Sequence, residues 1–89
     1  MSIKEALLLK NVKVKIDDFE VELRRPSVLD LVEAANQKED NIAAWLVYNH
    51  LLENGEKVFS NIDEVYQSDA LLVEKIAKAI DGLYGEGRD

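Results

Sequence analysis

The most regular pattern of apolar and polar residues runs through residues 10–24. Apolar side chains occupy every second position on both sides of Asp17-Asp18, and this period of two is typical of half-buried strands. A two-residue turn there would place apolar residues on one face and opposite charges together on the other, so the sequence predicts an antiparallel hairpin. The predicted register pairs Ile16 with Phe19, Val14 with Val21, Val12 with Leu23, Lys15 with Glu20 and Lys13 with Glu22.

After residue 26 the apolar spacing changes to that of helices, which we expect at about residues 27–37, 41–54, 61–67 and 69–84. Ser27 is placed to cap the first helix, with Asp30 completing a partial capping box. The fold class is therefore α+β, an N-terminal antiparallel β-hairpin followed by three to four α-helices, mostly helical and in a single domain. The first helix carries an apolar stripe of Val28, Leu31, Val32 and Ala35, and the last helix a buried face of Leu72, Val73, Ile76, Ile80 and Leu83.

The helix predicted at residues 41–54 is apolar on more than one side, with Asn54-Gly55 as its stop signal. Such a helix is either the central helix of the fold or half of a contact between subunits. Aromatic side chains often anchor protein interfaces. The residues that we select as a candidate protein interface are Trp45, Tyr48 and Leu51, with Tyr84 of the last helix as a further candidate.

The charge of the chain restricts its partners. Its 89 residues include 18 acids and 11 bases, a net charge of -7, which opposes binding to nucleic acid or to anionic membranes. The acidity serves either solubility or attraction to a basic partner. No apolar run is long enough to span a membrane, and no signal peptide is recognisable. Together with the absence of cysteine, these features predict a cytoplasmic protein.

The residues that usually carry chemistry are scarce. His50 is the only histidine, so the chain cannot build the common zinc sites, and we interpret His50 as a surface or packing residue. Asp17-Asp18 lacks the spaced ligands of a calcium loop, and the four glycines form no phosphate-binding fingerprint. We therefore predict a protein that is not an enzyme, with no catalytic residues, no metal site and no cofactor, and that works by binding other proteins.

The order of the predicted elements carries a resemblance to a known family. A strand pair ends in Arg24-Arg25-Pro26-Ser27 and leads into a helix, and a longer helix ends in residues 51–59 (LLENGEKVF). A short acidic helix at residues 62–65 (IDEV) follows, and then the last helix from residue 71 to residue 83. This layout resembles the small tail assembly chaperones of long-tailed bacteriophages and prophages, over most of the chain.

The resemblance implies a non-virion protein of the host cytoplasm. Such chaperones coat the tape measure protein and keep it soluble while tail tube protein polymerises around it, which implies self-association as well. Many are made in two forms by a translational frameshift, and this chain would be the short form. A generic protein-binding adaptor or regulatory module and an acidic nucleic-acid mimic are the alternatives.

Overall fold

The computed structural model describes residues 2–8 and 10–85. It confirms the α+β class with an N-terminal hairpin. The elements in chain order are α1 (Ile3–Ala6), β1 (Asn11–Ile16), β2 (Phe19–Arg24), α2 (Val28–Ala35), α3 (Ile42–His50), β3 (Leu51–Glu53), β4 (Glu56–Lys57), α4 (Ile62–Tyr66) and α5 (Ala70–Gly85).

The hairpin has the predicted register at all five predicted pairs. Asp17 adopts a positive φ of 53° in its turn, a conformation that Asp tolerates better than most residues. The apolar face of the hairpin packs on α3 and α5, while its lysines and glutamates face outward. Lys75 of α5 also fixes the turn through an ion pair of 2.8 Å with Asp17.

The prediction of a helix at residues 41–54 is wrong for the C-terminal part of this range. α3 stops at His50, and Leu51 turns into an extended conformation, with φ -77° and ψ 124°. Leu51 and Leu52 then pair with β2, so a second hairpin extends the sheet in the antiparallel order β1-β2-β3-β4. Asn54 and Gly55 both adopt positive φ, as in the tight turn that Asn-Gly favours. The Asn-Gly pair is therefore the turn of a hairpin and does not stop a helix.

Two smaller elements also differ from the sequence-based expectation. α1 was not predicted, and it is a single turn capped by Ser2, whose side chain accepts a hydrogen bond from the backbone N–H of Glu5. Strand β4 (Glu56–Lys57) was likewise not predicted. Val58 still continues the pairing, because its N–H donates to the carbonyl of Leu51 over 3.3 Å.

α3 is the central helix of the fold. It packs against α5, α4 and the sheet, and the side chains of Ala44, Trp45, Leu46 and Val47 are all buried. Both of its apolar sides are thus covered within one chain, which is the first of the two alternatives that its sequence allowed. Within the described parts of the chain, no helix combines the length and apolar character that a membrane span requires.

A polar pair lies inside this core at the joint between α3 and β3. His50 is fully buried, and its Nε2 is hydrogen-bonded to the hydroxyl of Tyr84 on α5. Burial lowers the pKa of His50 to about 4, with the positive charge of Arg24 as the next cause. Burial likewise raises the pKa of Tyr84. Both rings are therefore neutral at neutral pH, and His50 is a packing residue.

We expect acid to destabilise the protein through the protonation of His50. Above pH 6.5 His50 is neutral in both the folded and the unfolded state. Between pH 6.5 and about 4 only the unfolded chain takes up the proton, so unfolding becomes easier as the pH falls. The free energy of unfolding should drop by about 3 kcal/mol over this range, as urea denaturation at a series of pH values would measure.

The variant His50→Gln serves as the control, because glutamine keeps a hydrogen-bonding side chain but does not titrate. It should lose most of the pH dependence between 6.5 and 4. An unchanged slope in this variant would mean that another group causes the acid sensitivity.

Candidate protein interface

The structure buries three of the four residues selected from the sequence as a candidate interface. Trp45, Leu51 and Tyr84 are each 8% exposed or less and belong to the core. Tyr48 is half-buried, and the Nζ of Lys57 lies 4.3 Å from its ring centroid, in a cation–π contact. In the single chain the side chains of Trp45, Leu51 and Tyr84 are thus part of the core and do not form an open surface.

Four of the large apolar side chains that remain exposed lie on α2. Val28 is 80% exposed, Leu29 62%, Leu31 47% and Val32 57%, in a helix of only eight residues. The stripe predicted from the sequence exists, but it faces away from the core. We call Val28, Leu31, Val32 and Ala35, which share one side of the helix, the α2 stripe.

A polar anchor explains why the α2 stripe faces outward. The one buried residue of α2 is Asp30, on the side opposite the stripe. Its carboxylate accepts hydrogen bonds from Arg24 Nη1 at 2.7 Å and Nη2 at 3.3 Å. It also accepts from the backbone N–H of Ser27 at 2.8 Å, while Ser27 Oγ accepts from the N–H of Asp30, completing the predicted capping box. The charged side of α2 is therefore its inner side.

Arg24 connects this anchor to the core. Its Nε donates to the carbonyl of Asn49 over 3.2 Å, at the C-terminal end of α3, where a positive charge is favoured by the helix dipole. Burial alone would raise the pKa of Asp30, but the hydrogen bonds from Arg24 and Ser27 and the charge of Arg24 outweigh it, and the pKa is lowered. Asp30 is therefore ionised at neutral pH, and one arginine of β2 ties α2 to α3.

A groove of about 410 Å³ separates α2 from α3 and α5. We call it the helix groove. Leu31 and Ala35 of the α2 stripe form one wall, Ile42 and Leu46 of α3 lie below, and Asp81 of α5 stands on the far side. An apolar groove bounded by helices is suited to the apolar side of another helix.

The anchor residues were not recognised from the sequence. Asp30 was noticed as a capping residue, and Arg24 only as part of the connection after the hairpin. The available signal was an acid among Val28, Leu29, Leu31 and Val32, since a charge inside an apolar helix needs a partner if it is buried.

No metal site competes with this interpretation in the described residues, where no group of three or more His, Asp or Glu side chains is placed to hold an ion. Comparisons with protein-family models, with curated proteins and with solved structures find no match to this chain. The α2 stripe and the helix groove are therefore the basis on which a function can be inferred.

We expect Asp30→Asn to destabilise the protein by about 2 kcal/mol at pH 7, because it leaves the partly buried Arg24 without its charged partner. The contribution of Asp30 to the free energy of unfolding is fully present above pH 3.8, the ordinary carboxyl pKa. It is lost as the pH falls through the lower pKa that Asp30 has in the folded protein. Urea denaturation measures the change.

Lys75→Met is a matched control. It breaks an ion pair of nearly the same length, 2.8 Å against 2.7 Å, whose side chains are 53% and 51% exposed, and should cost about 0.5 kcal/mol or less. Equal losses in the two variants would contradict the role of Asp30 as the anchor of α2.

Proposed function

We propose that this chain is a tail assembly chaperone of a long-tailed bacteriophage or prophage. It binds the tape measure protein in the host cytoplasm and keeps it soluble while tail tube protein assembles, without becoming part of the virion. The order of elements described above supports the proposal. The observation that carries it is the exposed α2 stripe, because a chaperone of a long helical protein needs an apolar surface for helices.

The α2 stripe and the helix groove suit an amphipathic helix of the tape measure protein. Leu31 and Ala35 belong to both surfaces, so the apolar side of a bound helix would contact them together. Asp81 at the far side of the groove and the net charge of -7 favour a helix that carries lysine or arginine beside its apolar residues.

Coating a long protein requires many copies, so the proposal includes self-association. The helix around Trp45 no longer supports that part, since both of its apolar sides are covered inside one chain. The same observation favours a second candidate function, an adaptor that binds one partner helix in the helix groove. Stoichiometry separates the two, because a chaperone loads many copies on one tape measure protein and an adaptor loads one.

The test is co-expression with the tape measure protein encoded in the same tail gene cluster, followed by measurement of affinity for a purified fragment. We expect the double variant Val28→Asp, Val32→Asp to weaken binding by about tenfold or more, because it places two charges in the α2 stripe. Both residues are more than half exposed, so circular dichroism should report an unchanged fold.

Leu71→Asp is the matched control, since Leu71 is 72% exposed but lies on α5 outside the helix groove. It should bind as the unmodified protein does. A gene without tail genes around it, or a protein with no affinity for the fragment, would overturn the proposed function.

A further inference from the structure

In the part of the chain that the structure describes, the first strand of the sheet has a neighbour on one side only. The sheet has the order β1-β2-β3-β4, so β1 is an edge strand, and its six residues make it longer than β4 at the other edge, which has two. We call the unpaired side of β1 the β1 edge. A free edge of this length presents N–H and C=O groups to which another strand can be added.

The geometry of the hairpin identifies the backbone groups that lie on the β1 edge. A two-residue turn is closed by a hydrogen bond between the residues that flank it, so Ile16 directs its backbone groups to β2. This direction alternates along an antiparallel strand, so the groups directed outward are those of Asn11, Lys13 and Lys15. Among the described residues, these three make no backbone hydrogen bond outside the pairing of β1 with β2.

The side chains along β1 are of two kinds, one on each face of the sheet. Lys13 and Lys15 are exposed on the outer face, whereas Val12 and Val14 are half-buried on the inner face and pack against the core. A strand added at the β1 edge would place alternate side chains beside the lysines and the others beside the valines. Apolar residues at the second set of positions would complete the burial of Val12 and Val14.

The lysines of β1 are only weakly neutralised within the chain. Residues 10–16 hold three lysines and no acid, although the net charge of the chain is -7. Lys13 lies 4.0 Å from Glu20, with both side chains exposed, and Lys15 forms no ion pair with any described residue. On its paired side, β1 places Lys13 opposite Glu22 and Lys15 opposite Glu20. A strand with carboxylates at the same spacing would complement the β1 edge in the same way.

The same lysines oppose a second copy of β1 at this edge. When two β1 strands pair with their apolar faces on the same side, the period of two brings lysine beside lysine in either strand direction. Like charges directly opposite each other destabilise a sheet. The β1 edge therefore disfavours pairing with itself and selects a segment of opposite charge.

We propose that the β1 edge binds an extended segment of another protein in which acidic residues alternate with apolar ones. The segment adds a strand to the sheet, with its carboxylates beside Lys13 and Lys15 and its apolar side chains beside Val12 and Val14. The β1 edge shares no residue with the α2 stripe or the helix groove, so this site is additional to the proposed function.

Synthetic peptides and the full chain test the proposal. The probe is a short labelled peptide of alternating glutamate and valine, and its control has lysine in place of glutamate. By fluorescence anisotropy the glutamate peptide should bind about tenfold tighter or more, and its affinity should fall as salt is added. Amide hydrogen exchange should show new protection at Lys13 and Lys15, since their N–H groups lie on the β1 edge. Equal affinity for the two peptides, or binding without this protection, would overturn the proposal.

The double variant Lys13→Gln, Lys15→Gln tests the charge of the β1 edge. It should weaken binding of the glutamate peptide by about threefold or more, because it removes two cross-strand charge pairs. Lys38→Gln, Lys78→Gln is the matched control, since it makes the same change of net charge at two exposed residues outside the sheet. Equal losses in the two proteins would mean that net charge, and not the β1 edge, attracts the peptide.

Lys13→Pro tests the backbone contact. Proline removes the outward N–H but none of the hydrogen bonds between β1 and β2, and an edge strand tolerates it in this position. The variant should remain folded by circular dichroism and bind the glutamate peptide about tenfold more weakly than Lys13→Gln does. A folded Lys13→Pro protein with the affinity of Lys13→Gln would contradict the addition of a strand.

Discussion

Helix α2 is held to the protein by a charged pair, while most of its apolar side chains are exposed. Asp30 lies on the inner side of the helix, where Arg24 and the N–H of Ser27 satisfy its carboxylate. A partly buried carboxylate with three hydrogen bonds is stable in this position only while its partners remain, which fixes the rotation of the helix. The apolar residues on the other side are therefore directed toward solvent, and the helix groove exists because they do not fill it.

The same arginine connects this outer helix to the most deeply buried part of the chain. Arg24 bonds the carbonyl of Asn49 at the end of α3, next to His50, and His50 bonds Tyr84 of α5. The positive charge of Arg24 also contributes to the low pKa of His50. The orientation of the candidate interface thus depends on one side chain at the end of β2, and the same side chain adds to the effect of burial on the pKa of His50.

The parts of the fold that were predicted correctly from the sequence are those that residues close together in the chain determine. The hairpin was predicted to the register because its apolar face, its charged face and its turn all agree. Leu51 and Leu52 fit a helix or a strand equally well. They form a strand because they pair with β2, which is remote in sequence. Periodicity likewise identifies the α2 stripe but not its direction, which depends on Arg24 and Asn49. The residues selected around Trp45 lie in the core of the single chain for the same reason, since an apolar helix can be covered by its own chain.

The central claim is that the α2 stripe is exposed in the single chain, and methyl NMR with a water-soluble paramagnetic probe tests it directly. In dilute protein the methyl signals of Val28 and Val32 should broaden as strongly as those of Leu71, while those of Leu23 and Val47 in the core stay sharp. Protection of Val28 and Val32 equal to that of Val47 would mean that α2 packs its stripe inward, and would contradict the account of the anchor and of the interface alike.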